Sequence, residues 1–116
     1  MASPPADFTL REQDGVTVVS LRTANLLGIP DVSRIGAELN ALVGKGARRV
    51  VLDLAAVSYA GSAALGMLLS LMNELKVVGG KLVLMNVEPI DGLLKISRTR
   101  AVFEIAPDPA AALRMF

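Results

Sequence analysis

The 116-residue sequence contains no cysteine and no histidine, and only 3% of its residues are aromatic. These absences exclude disulfides, thiol chemistry, zinc sites of the usual Cys/His kind and any Ser-His-Asp triad. Val, Leu, Ile and Ala must therefore fill the core, a composition typical of a buried sheet covered by helices. One compact domain is expected from this length.

The sequence also lacks an excess of charge of one sign, and it lacks a long apolar run. The 12 basic and 11 acidic residues leave a formal net charge of +1, which gives no electrostatic argument for a nucleic-acid partner. No apolar run is long enough to span a membrane, and the first residues lack the features of a signal peptide. We therefore expect a cytoplasmic protein without membrane contact. No carboxylate spacing indicates a metal site, and no cofactor is expected.

Apolar segments and turn residues alternate along the chain in a way that predicts strands followed by helices. Strands are predicted at residues 8–12, 16–21, 49–54, 81–87 and 101–105, and helices at 30–43, 62–78, 89–97 and 107–114. Residues 23–29 form either a loop or an irregular edge strand. Residues 1–7 are expected to be a flexible tail, and 8–116 a single domain. The fold class is α/β, with a four- or five-stranded mixed sheet and about four helices.

Candidates for catalytic or nucleotide-binding residues are few. Gly44 and Gly46, like Gly79 and Gly80, follow a predicted helix instead of preceding one, so they are expected to end helices and not to cradle phosphates. Asp53 ends a strand, where a catalytic carboxylate could stand, but it lacks an acid–base partner. A loop hydrogen-bonding or solvated carboxylate is predicted there. No catalytic residue is assigned, and the chain is not predicted to be an enzyme.

The stretch 50–78, VVLDLAAVSYAGSAALGMLLSLMNELKVV, carries the strongest functional signal. An apolar strand runs into a turn of small residues, and a long helix follows. Ser62 stands where that helix is expected to begin. A serine there either caps the helix or offers an exposed phosphorylation site, and the spacing fits both interpretations.

The helix after this turn has a predicted core stripe and an outer face. The stripe consists of Leu65, Leu68, Leu69, Met72 and Leu75. The residues predicted to point away from it and to bind a partner are Ala63, Gly66, Met67, Ser70 and Glu74. Small residues let another backbone approach closely, and methionine adapts to a partner. The alternative is an alanine-rich helix with no partner.

The order of elements, together with DLAAVSYAGSAALGMLLSLMNELKVVGGKLVLMNV, resembles the STAS domain of bacterial anti-sigma factor antagonists and sulfate transporter tails. The resemblance covers about residues 8–116. Family members commonly carry Asp-Ser-Ser-Gly-Leu-Gly before the helix. Ser62 falls on the serine that a kinase anti-sigma factor phosphorylates in such antagonists, and Leu65 and Gly66 match the end of the motif.

The resemblance implies partner switching. The unphosphorylated protein would bind a serine-kinase anti-sigma factor through its helix face, and phosphorylation of Ser62 would end that complex until an opposing phosphatase restored it. Here Gly61 replaces the acidic residue of the motif, and Ala63 and Ala64 replace a serine and a glycine. A constitutive interaction module without a phosphate switch is therefore the alternative. A ligand-sensing or enzymatic domain that uses residues 23–29 is a third hypothesis, without a supporting motif.

Overall fold

The computed structural model describes residues 8–22, 25–26 and 28–116, and within them five strands form one mixed sheet in the order β1-β2-β4-β6-β7. The strands are β1 (Phe8–Gln13), β2 (Val16–Leu21), β3 (Asn25–Leu26), β4 (Arg49–Asp53), β5 (Tyr59–Ala60), β6 (Lys81–Met85) and β7 (Glu104–Ala106). The helices are α1 (Ile29–Gly44), α2 (Ser62–Val77), α3 (Asp91–Ile96) and α4 (Pro109–Arg114), with a 3₁₀ turn at Glu88–Ile90. The predicted fold class is confirmed.

One antiparallel pair and three parallel pairs build the sheet. β1 and β2 form a hairpin whose turn, Asp14 and Gly15, has φ values of 54° and 77°, which aspartate and glycine tolerate. The pairs β2–β4, β4–β6 and β6–β7 are parallel. Their carboxyl ends therefore share one edge of the sheet, and the loops that lead into helices leave from that edge.

The sheet is covered on both faces, as its nearly uninterrupted apolar strands require. α1, α2 and the segment with α3 bury one face around Ile35, Leu52, Leu84 and Leu94. α4 covers the other face through Ala112. No polar or charged residue is fully buried among the described residues, so this core is held by apolar packing.

Glycines end the two long helices, as predicted. The N–H of Gly80 donates to the carbonyl of Leu75 at 2.6 Å, and that of Gly79, at φ 79°, donates to Lys76 at 3.1 Å. This pair of bonds is the Schellman motif. A Cβ on Gly80 would also collide with the backbone carbonyl of Arg48. The glycine pair is therefore needed for a helix end and a close backbone approach.

The structure differs from the sequence prediction at several places. The strand predicted at 81–87 ends at Met85, and the helix predicted at 89–97 is a 3₁₀ turn at Glu88–Ile90 followed by α3. The last strand begins at Glu104 instead of residue 101, because Val102 closes a turn with the carbonyl of Thr99 at 2.9 Å. The short parallel pair β3–β5 was predicted only as an ambiguous segment at residues 23–29, and β5 was missed. Residues 23, 24 and 27 lie outside the described residues, as does the predicted tail, 1–7.

Candidate functional site at the start of α2

A hydrogen-bonded aspartate holds the chain that leads from β4 into α2. Asp53 Oδ1 accepts hydrogen bonds from the Ala55 N–H at 3.0 Å and from Asn86 Nδ2 at 2.9 Å. The Ser20 hydroxyl donates to Asp53 Oδ2 at 3.4 Å. Since Ser20 belongs to β2 and Asn86 follows β6, one carboxylate links three neighbouring strands. The prediction that Asp53 is a loop hydrogen-bonding residue is confirmed.

Ser62 is the first residue of α2 and not its cap. The residue before it, Gly61, has extended φ and ψ of −121° and −169°, and its carbonyl accepts the first helical hydrogen bond, from Leu65 N–H at 3.2 Å. The N-cap is therefore Gly61, which has no side chain with which to cap. The interpretation of Ser62 as an N-cap is wrong, because the capping residue must precede the helix.

The Ser62 side chain is exposed, and its hydroxyl forms no hydrogen bond with any residue that the structure describes. The first turn of α2 also carries no acidic residue. The N–H groups that point out of this helix end are thus left without a carboxylate near them. Such a hydroxyl is accessible to an enzyme, and negative charge added to it would meet a favourable helix dipole.

The outer face of α2 is narrower than the sequence indicates. Met67, predicted to point outward, is only 7% exposed, while Leu65 and Leu69 of the predicted core stripe are partly buried. The buried residues of α2 are Ala64, Met67, Leu68, Leu71, Met72 and Leu75. The stripe is rotated because α2 packs against α1 as well as the sheet: a Cβ built on Gly36 of α1 would lie 3.3 Å from Met67 Cγ.

The remaining predicted partner residues do lie at the surface. Gly66, Ser70 and Glu74 are exposed, and Ala63 is half-buried. Ala63, Met67 and Ser70 line an open groove of about 360 Å³ between α1 and α2, whereas Gly66 and Glu74 lie outside it. A Cβ on Gly66 would meet nothing within 4 Å. The predicted set is therefore divided: Ala63, Met67 and Ser70 face the groove, with the buried Met67 at its floor, and Gly66 and Glu74 are exposed outside it.

Tyr59 is an exposed aromatic residue close to Ser62 in the chain, and the sequence reasoning missed it. It lies in β5, three residues before Ser62, and its side chain is 62% exposed. The aromatic residues Phe8 and Phe103 are buried. An exposed aromatic ring beside a small-residue helix face is typical of protein interfaces. The signal available in the sequence was the position of the lone tyrosine in the turn before the helix.

Metal and membrane sites find no support in the described part of the chain. No cluster of three or more acidic side chains there could hold a metal ion. None of the helices in residues 28–116 combines the length and the apolar character that a membrane span needs. What the site offers is a surface on which the Ser62 hydroxyl is exposed and has no hydrogen-bond partner among the described residues.

The comparison with known proteins agrees with this geometry. The family model of the STAS domain matches residues 7–110. A protein of Bordetella bronchiseptica, provisionally named anti-sigma factor antagonist BtrV, is 34% identical over 110 residues, which are 94% of this chain and 93% of that protein.

Two solved structures show the same fold. One, from Thermotoga maritima, is provisionally described as an anti-sigma factor antagonist; its TM-score is 0.80 at 20% identity, covering 93% of this chain and 92% of that one. The other is the Bacillus cell fate determinant SpoIIAA in its phosphorylated form, with a TM-score of 0.70 at 22% identity over 94% of this chain and 99% of that one. The family match over most of the sequence, the curated relative and the shared fold lead to one conclusion: this chain belongs to the STAS domain family.

Proposed function

We propose that this protein is an anti-sigma factor antagonist that works by partner switching. In its unphosphorylated form it binds a serine-kinase anti-sigma factor through the surface at the start of α2, and phosphorylation of Ser62 releases it. An opposing phosphatase resets the switch. The protein is then a substrate of the kinase in the cytoplasm and not itself an enzyme. The relative BtrV is provisionally named an anti-sigma factor antagonist, which supports the antagonist part of the proposal.

The observation that carries the proposal is the free hydroxyl of Ser62. A serine that caps a helix has its oxygen engaged with the backbone, but the oxygen of Ser62 is exposed and unbonded among the described residues. Gly66, one turn later on the same helix, is also exposed, and Tyr59 and Ala63 are close to Ser62 in the chain. The phosphorylated form of SpoIIAA supports the idea that this fold accepts a phosphate.

A phosphate on Ser62 acts on binding more than on the fold. It adds a charge of about −1.5 to −2 at neutral pH. At the first residue of α2, the helix dipole and unpaired N–H groups favour that charge, so the helix is retained. On the surface, the same group is bulky and strongly hydrated. A partner that packs against Tyr59 and Gly66 would have to desolvate it, and the complex is lost.

The phosphorylation test uses the serine-kinase anti-sigma factors of the source organism. Each is incubated with this protein and ATP, and the product is read by intact mass. We expect one phosphate on the wild type and none on Ser62→Ala, with Ser70→Ala as the matched control that is still modified. Complex formation without phosphate on the wild type would reject the switch.

A binding test separates the surface from the switch. Gly66→Lys places a long side chain where the structure leaves open space, so it should weaken the complex without unfolding the protein. Asn73→Lys adds the same side chain to an exposed position later in α2 and should bind like the wild type. Equal affinity of both variants, measured by titration calorimetry, would place the interface elsewhere.

The second candidate is a constitutive STAS interaction module without a phospho-switch. It is favoured by Gly61, which stands where the family motif carries an acidic residue beside the serine. In that case Ser62→Asp and Ser62→Ala should bind the partner equally well. Under the switch, Ser62→Asp should lose binding, while Ser62→Ala keeps it and cannot be turned off.

A further inference from the structure

The end of the domain opposite Ser62 contains an open cavity of about 490 Å³. The β1–β2 hairpin, the end of α1 and the start of β4 form its walls, through residues that include Leu10, Thr17 and Leu42. Its size lies in the range of small-molecule sites in proteins. Neither the α2 surface nor the proposed partner switch involves it.

Cationic side chains dominate the charge of this cavity. The cavity is lined by four cationic residues, Arg11, Lys45, Arg48 and Arg49, and by the acidic residue Glu12. The sequence separates Arg11 from the others by more than thirty positions, so only the fold brings them together. The near-zero net charge of the chain conceals this local excess of positive charge.

One of these four cations caps the end of α1, and the other three have no partner among the described residues. Arg48 Nη1 donates to the carbonyls of Val43 and Ala47, both at 3.0 Å. The carbonyl groups at the end of α1 accept two further hydrogen bonds. The Gly46 N–H donates to Val43 at 3.1 Å, and the Ala47 N–H donates to Leu42 at 3.0 Å. Lys45, Arg49 and Arg11 have no ion pair or side-chain hydrogen bond within the described residues.

The two cations beside Asp91 are paired instead. Lys95 Nζ and Arg100 Nη1 lie 3.0 and 2.6 Å from the Asp91 carboxylate. The hydrogen bond from Lys95, together with the charges of Lys95 and Arg100, holds the pKa of Asp91 below its ordinary value, against a smaller opposing effect of desolvation. Around the cavity, in contrast, four cationic side chains accompany one carboxylate, that of Glu12, so the local excess of positive charge favours an external anion there.

We infer that this cavity binds a compact polyanion, a small molecule bearing phosphate or several carboxylate groups. Lys45 and Arg49 supply the charge, and the guanidinium of Arg49 can hold a phosphate or carboxylate through two parallel hydrogen bonds. Arg48 stays engaged with the end of α1 and shapes the wall. The ligand would lie far from Ser62, so its binding is independent of the proposed phospho-switch.

The test titrates the whole protein with inorganic tripolyphosphate, and separately with citrate, at low and at high salt by calorimetry. Lys45→Gln/Arg49→Gln should weaken binding of the preferred anion at least about tenfold, the scale of one lost charge-assisted contact. Lys95→Gln/Arg100→Gln removes the same charge at the Asp91 cluster and should leave the affinity within about twofold of wild type.

Backbone chemical shifts locate the anion. On addition of the anion that binds in calorimetry, we expect shifts at Gly15 and Gly46 and none at Gly61 or Gly66. Tripolyphosphate binding alone identifies a phosphate site, and citrate binding alone identifies a carboxylate site. Absence of binding by both anions, or an equal loss in both double variants, overturns the inference. Neither result affects the phosphorylation test at Ser62.

Discussion

Helices α2 and α4 each follow a short strand, β5 and β7, yet they are fixed in different ways. α4 has six residues, and its N-cap Asp108 accepts a hydrogen bond from the Ala111 N–H at 2.8 Å. α2 has sixteen residues, no side-chain cap and no acidic residue in its first turn, and is held instead by its buried side. The difference teaches that a helix secured by packing can leave its first turn free for another purpose.

The largest expected effect tests the packing of α2. Met67→Ala should lower the free energy of unfolding by about 2–5 kcal/mol, because it empties the space between α2 and Gly36 of α1. Met67→Leu keeps most of the volume and should cost less than about 1.5 kcal/mol. Chemical denaturation measures both. If the denaturation midpoint of Met67→Ala equals that of the wild type, Met67 lies on the outer face of α2, as the sequence predicted.

The cap of α4 gives the next effect. Asp108→Ala should lower the free energy of unfolding by about 0.5–2 kcal/mol, because the Ala111 N–H loses its acceptor. Asp108→Ser retains a capping oxygen and should stay close to wild type. If the alanine variant were as stable as the serine variant, the six-residue helix would not depend on its cap.

Supplying α2 with the cap that it lacks should stabilise it slightly. Gly61→Asp places a carboxylate at the N-cap, where the backbone is already extended, and should add a few tenths of a kcal/mol up to about 1 kcal/mol. Thermal unfolding is the measurement, and Gly61→Asn is the control that caps without charge. A loss of stability in both variants would mean that the turn before α2 does not tolerate a side chain.

The smallest effect is expected at Ser62. Ser62→Ala should change the free energy of unfolding by less than about 0.5 kcal/mol, since the hydroxyl makes no hydrogen bond with the described residues. The same variant should nevertheless abolish phosphorylation. A stability loss of about 1 kcal/mol or more would mean that the Ser62 side chain does cap α2, contrary to the structure.

The sequence predicted the elements whose pattern is local. Apolar runs located β2 and β4, and the glycines at the ends of α1 and α2 marked the helix ends within a residue or two. Asp108 is a local signal of the same kind, because capping depends on one residue and its nearest neighbours.

The rest depended on contacts between distant segments. Met67 was misplaced because its burial comes from Gly36 on another helix, which helical periodicity does not reveal. Ser62 was one residue late for a cap, a distinction finer than sequence boundaries allow. β5 was missed because two residues pair only with a segment more than thirty positions earlier. The burial of Met67 and the exposure of Tyr59 therefore did not follow from the sequence.

The linkage of three strands through Asp53 has a consequence for the rate at which a partner can bind. Because this carboxylate accepts hydrogen bonds from Ala55, Asn86 and Ser20, the segment that leads to Ser62 is already ordered before the protein meets its partner. Association then needs no ordering step, and mutations on the surface should act mainly on dissociation. Loosening the linkage with Asp53→Ala should instead slow association, since the free protein would populate the binding geometry only part of the time.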